Sequence, residues 1–115
     1  MLRRVFAWVV LAVAVSCASP TLPLPPPSLP AIGASTLAGK VRLSSTRGAE
    51  PNAIIVVFNR NPGLPGDQRV SGAQADGVGT WDADVLAAPG DVLDISQEYG
   101  TMRSAPTTVQ VPRAP

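Results

Sequence analysis

The chain has 115 residues, nine of them basic and eight acidic, for a formal charge of +1. So even a balance gives it no electrostatic reason to seek nucleic acid. It has no histidine and a single cysteine. These absences remove the commonest general base and exclude any intramolecular disulfide or multi-cysteine metal cage.

Residues 1–17, MLRRVFAWVVLAVAVSC, open with Arg3 and Arg4 and continue through an apolar run of eleven residues, Val5 to Val15. The run is shorter than the roughly 20 residues needed to span a bilayer, but it has the length of a secretory signal core. Its ending, Ala14-Val15-Ser16-Cys17, resembles the lipobox of bacterial lipoproteins. That resemblance implies a signal peptide over 1–16, an acylated Cys17 as the mature N-terminus and a membrane anchor. With Ala18 rather than aspartate following, it implies the outer membrane if the cell is Gram-negative. Ser16-Cys17-Ala18 also fits ordinary signal peptidase, which would release a soluble secreted protein. Cleavage before Cys17 would leave 99 residues with seven basic and eight acidic groups, room for one small domain of marginal stability.

Residues 17–35 form the acylated cysteine and a linker. Prolines 20, 23, 25, 26, 27 and 30 fix φ and remove backbone donors, so a polyproline II spacer is expected, without sheet. Its PxxP spacing at Pro23 and Pro26 also fits proline-binding grooves, but the spacer reading is preferred.

From Thr36 the pattern turns to short runs of period two. Leu37, Gly39, Val41 and Leu43 alternate with polar or small residues and predict a first strand. Ala53 to Phe58 is apolar on both faces and predicts a central strand covered on both sides. Asn59 to Asp67, with two prolines and two glycines, is a loop. Gln68 to Ala75 predicts a weak edge strand, and Asp76-Gly77 a hairpin turn. Beyond it Gly79, Trp81, Ala83 and Val85 point one way while Thr80, Asp82 and Asp84 point the other. After the turn at Pro89-Gly90, Leu93, Ile95 and Tyr99 share a face, and a last strand runs from Thr107 to Val111. About seven short strands without a helical window predict an all-β fold, a small Greek-key β-sandwich over 36–112. Its expected core is Trp81, Phe58, Ile55 and Ile95.

Leu37-Ala38-Gly39-Lys40-Val41, the strand from Pro51 to Phe58, Ala75-Asp76-Gly77 with Trp81, Pro89-Gly90-Asp91 and Ser104-Ala105-Pro106 with Val109 occur in that order. Together they resemble the bacterial immunoglobulin-like and carboxypeptidase-regulatory-like modules of surface proteins. The resemblance implies a spacer, adhesion unit or accessory domain, and no catalytic residues.

Several chemical patterns fail on inspection. Gly33 to Lys40, GASTLAGK, has one residue too many for a phosphate-binding loop and Val41 where the magnesium-binding hydroxyl should stand. Lys40 on an exposed strand face is an ordinary solvated charge rather than half of a Ser–Lys pair. Asp76, Asp82, Asp84, Asp91 and Asp94 could supply oxygens to calcium, yet no DxDxDG run is present and Asp beside glycine commonly caps turns. The expectation is therefore a non-enzymatic, membrane-tethered interaction or structural module, monomeric and without cofactor. Its partner would be an envelope protein or polysaccharide, met through the loop holding Asn61, Leu64 and Asp67. Leu64 there stands exposed or folds back on the sandwich. The alternative is a small binding protein for carbohydrate or calcium.

Overall fold

The computed structural model describes residues 24–113. The signal segment 1–16, Cys17 and the first residues of the linker lie outside the described residues. Eight strands are present among those described: β1 (Ala31–Ala34), β2 (Lys40–Ser45), β3 (Ile54–Asn59), β4 (Val70–Gln74), β5 (Trp81–Leu86), β6 (Val92–Tyr99), β7 (Met102–Arg103) and β8 (Thr107–Gln110). They form two antiparallel sheets. One has the order β1-β2-β5; the other has the order β4-β3-β6-β7, with β8 also paired to β6.

The chain crosses between sheets from β2 to β3 and again from β5 to β6, while β2 lies beside β5 and β3 beside β6. These interlocked pairs are the Greek-key connection expected of a small β-sandwich. Inward side chains from both sheets fill it: Leu43, Trp81, Ala83 and Val85 from one, Ile55, Val57, Leu93 and Ile95 from the other.

Trp81 is buried in the register the sequence predicts, with Ala83 and Val85 on its face and Asp82 exposed beside it. Cross-strand pairing sets Arg42 opposite Asp84, and its guanidinium lies 3.1 Å from Asp82 and 3.6 Å from Asp84. A slip by one residue would drive these carboxylates into the core at prohibitive desolvation cost.

Several expectations need correction. The linker does not run free to residue 35: Ala31–Ala34 pairs with β2, and Leu24 and Pro27 are buried. Prolines forbid ladder donors, but their carbonyls still accept. Gln97 Nε2 donates to Pro25 O at 2.6 Å, the Thr107 hydroxyl donates to Pro27 O, and Ser28 N–H donates to Gly48 O at 2.8 Å.

The strand expected from Leu37 begins only at Lys40, as β2, because Gly39 takes a left-handed φ of 75° and leaves Leu37 exposed in the preceding turn. β3 is covered on one side alone: Ile55 and Val57 are buried, but Ile54 is 52% and Phe58 38% exposed. Phe58 therefore leaves the predicted core, and the Arg69 guanidinium lies 5.4 Å from its ring centre on the outer face. Tyr99 is likewise exposed at the end of β6.

The Asp76-Gly77 turn is tight but is not a hairpin, since it carries the chain from β4 in one sheet to β5 in the other. Asp76 Oδ1 accepts from Val78 and Thr80 N–H, both at 3.0 Å. The left-handed residue is Gly79 (φ 83°), not Gly77, and a Cβ there would collide with the Ala49 carbonyl.

Candidate contact surface

A buried amide closes each end of the sandwich. At the end where the described chain begins, Gln97 is 2% exposed; it accepts from Glu50 N–H at 2.7 Å and donates to Pro25 O. At the opposite end Asn59 is fully buried. Its Nδ2 donates to Leu86 O and to Asp91 Oδ2, both at 3.0 Å, and its Oδ1 accepts from Asn61 N–H at 2.9 Å. Because Leu86 ends β5 and Asn59 ends β3, this amide ties the two sheets together.

Asp91 is the hub of the far end. Beside the Asn59 bond, its carboxylate accepts from Ala88 N–H at 3.0 Å and from Asn61 Nδ2 at 3.2 Å. These donors hold its pKa below the ordinary carboxylate value, the Ala88 amide first, with partial burial opposing them. Nearby, Arg60 grips Asp94 in a two-pronged pair at 2.6 and 2.8 Å, and the Thr108 hydroxyl adds a third bond at 2.7 Å. Arg60 is the main cause of a lowered Asp94 pKa.

Two depressions flank the Asn61–Asp91 bond, and both residues line each of them. One, of about 270 Å³, is walled chiefly by Leu64, Leu86, Ala87 and Pro89 and is largely apolar. The other, of about 310 Å³, is bounded by Arg60, Pro62 and Val92 and is more polar. Leu64 is half-buried against the first: it folds partly back onto the sandwich and keeps an open side.

Of the three loop residues singled out by sequence, Asn61 and Leu64 are brought together. Asp67 is not; it sits exposed in a short 3-10 helix, Gly66–Gln68, and lines neither depression. Sequence reading placed Asn59 in the loop rather than at the end of β3, weighed Asp91 only as a calcium ligand, and missed the Leu86–Pro89 wall. The available signal was parity, because Asn59 continues the inward series Ile55, Val57 as a polar residue.

The carboxylates weighed for calcium have partners inside the fold. Asp82 and Asp84 face Arg42, and Ser35 also donates to Asp84 at 2.7 Å. Asp76 serves its own turn, and Asp91 and Asp94 the networks above. Among the described residues no group of three or more His, Cys, Asp or Glu is placed to hold a metal ion.

No family model matches the chain, and neither a curated protein nor a solved structure shows significant similarity to it.

Proposed function

We propose that this protein is a non-enzymatic lipoprotein of the cell envelope, anchored through Cys17, whose sandwich presents its far end to an envelope protein or polysaccharide. The observation that carries this reading is the polarity of the domain. The incoming chain is fastened at the Gln97 end, while the Asn61–Asp91 ridge and the half-buried Leu64 lie at the other. Six residues, 18–23, separate a tether on Cys17 from Leu24, a reach of at most about 25 Å. The domain would then stand close to the membrane with its open depressions facing away. The β1-β2-β5 and β4-β3-β6-β8 arrangement supports kinship in architecture with immunoglobulin-like surface modules.

Two experiments test the reading. Cys17→Ser should move the protein from the membrane to a soluble fraction, because acyl chains at about 0.8 kcal/mol per buried CH₂ hold the wild type. A soluble wild type whose mature mass begins at Ser19 would refute the anchor. A photocrosslinker at position 64 on intact cells should capture an envelope component that the same group at position 101, in the exposed β6–β7 turn, does not. Equal capture from both positions would refute the contact surface.

A further inference from the structure

The edges of the two sheets are not equally guarded. β5 carries Asp82 and Asp84, β1 follows Pro30 directly, and β8 lies between Pro106 and Pro112. Charges and prolines of this kind blunt an edge against further pairing. β4, Val70-Ser71-Gly72-Ala73-Gln74, has neither a charge nor a proline in it or adjoining it, apart from Arg69 before it.

Its hydrogen-bonding groups that have no partner among the described residues can be identified. Asn59 N–H donates to Arg69 O, and Ala75 N–H to Ala53 O, each at 2.8 Å. The alternation of an antiparallel ladder therefore turns the odd-numbered residues of β4 toward β3. Val70, Gly72 and Gln74 direct both N–H and C=O away from it, and all three are exposed.

We propose that β4 pairs with the β4 strand of a second copy, antiparallel about a two-fold axis at Gly72, in place of the monomer expected from the sequence. In that register Val70 meets the partner's Gln74, and Gly72 meets the partner's Gly72. Every outward donor then finds an outward acceptor, the self-complementarity a two-fold interface requires. The flanks choose the direction. Arg69 precedes the strand and Asp76 follows it, so antiparallel pairing brings the basic flank of each copy near the partner's acidic flank, with the Arg69 guanidinium also donating to Asn61 O and Arg60 O of its own chain. Parallel pairing would set like charges together. The sheet, four strands across, would continue unbroken into its copy.

Disulfide trapping tests the pairing in the otherwise full chain carrying Cys17→Ser, which removes its one native thiol. A Cβ at position 72 meets nothing nearer than the Ile55 carbonyl at 3.7 Å, so Gly72→Cys fits without strain. Hydrogen-bonded antiparallel neighbours have Cα atoms about 5.5 Å apart, within disulfide reach. Mild oxidation should convert Gly72→Cys mainly to disulfide dimer, while Gln110→Cys on the β8 edge stays monomeric. In parallel, Cys17→Ser alone should sediment with concentration-dependent mass rising toward the dimer, and Gly72→Lys should abolish that rise while keeping the native tryptophan emission. A Cys17→Ser chain that stays monomeric at every concentration would overturn the proposal. So would equal trapping at 72 and 110, or trapping at 72 of a foreign strand without homodimer.

Discussion

The two ends of the sandwich use the same device for different purposes. Each places one carboxamide at an inward position of a central strand, Gln97 on β6 and Asn59 on β3, where an apolar residue would continue the pattern. Gln97 spends its amide on the backbone of Glu50 and Pro25 and so fastens the proline-rich segment. Asn59 spends its amide on Leu86, Asp91 and Asn61 and so organises loops around an open surface. A buried amide is costly unless paired, so each end can be dismantled by one substitution, with different consequences.

The largest effect should come from the core the two ends share. Trp81→Ala should cost about 3–5 kcal/mol, measured by denaturant unfolding, whereas Trp81→Phe should cost far less. The reason for the difference is that the buried indole N–H has no hydrogen-bond partner among the described residues, so phenylalanine removes an unpaired donor along with some volume. Similar losses for both variants would mean that the indole nitrogen is satisfied.

The amides come next. Asn59→Ala should cost roughly 2–3 kcal/mol because it deprives Leu86 O and Asn61 N–H of their side-chain partner and takes one of three donors from Asp91, and Gln97→Ala roughly 1–2 kcal/mol. The sharper readout is local. Gln97→Ala should speed hydrogen exchange at Ser28, whose N–H binds Gly48, and Asn59→Ala should leave it unchanged. Faster exchange at Ser28 in both variants would erase the distinction between the ends.

Much of this architecture is legible in the chain. The alternation through Trp81, Ala83 and Val85 marks an inward face, and the aspartates between them forbid the other register. The positions that mislead share one cause: periodicity registers apolar character but not which sheet face has a cover. Phe58 and Ile54 are apolar yet outward, because nothing packs over the β4-β3-β6-β8 sheet among the described residues. Tyr99 follows the inward series of β6 but lies beyond the end of the core, while Gln97, polar and easily passed over, holds the inward position. Prolines 25 and 27 announce the absence of donors, and only the fold reveals acceptors waiting for Gln97 and Thr107. At the contact surface Asn61 and Leu64 are readable from loop composition, but Asp91, thirty residues away, joins them only through the crossing of the chain between sheets.

A smaller, pH-dependent effect separates the Ala88 amide, held by Asp91, from the Glu50 amide, held by Gln97, although Asp76 in the turn at the Gln97 end also has a lowered pKa. Asp91 and Asp94 have folded pKa values below their ordinary ones, so their contribution is complete above the usual carboxylate range near pH 4. It is lost as pH falls through their lowered folded values. Gln97 does not titrate. On acidification below about pH 4, amide exchange at Ala88, whose N–H binds Asp91, should therefore rise before that at Glu50, whose N–H binds Gln97. The reverse order would mean that the Asp91 carboxylate does not hold the Ala88 amide.

The direction of the whole domain rests on residues 24–34 being part of the fold. Thermal melting of a chain beginning at Ser35, compared with one beginning at Ala18, tests this most directly. The truncation removes β1, two buried side chains and the partners of Gln97, Thr107 and Gly48. Each kcal/mol lost lowers the melting temperature of so small a domain by about 4–8 °C, so a drop of roughly 10 °C or more is predicted. Coincident melting curves would contradict the account: the prolines would be a free spacer, and neither end of the sandwich would be fixed relative to the tether.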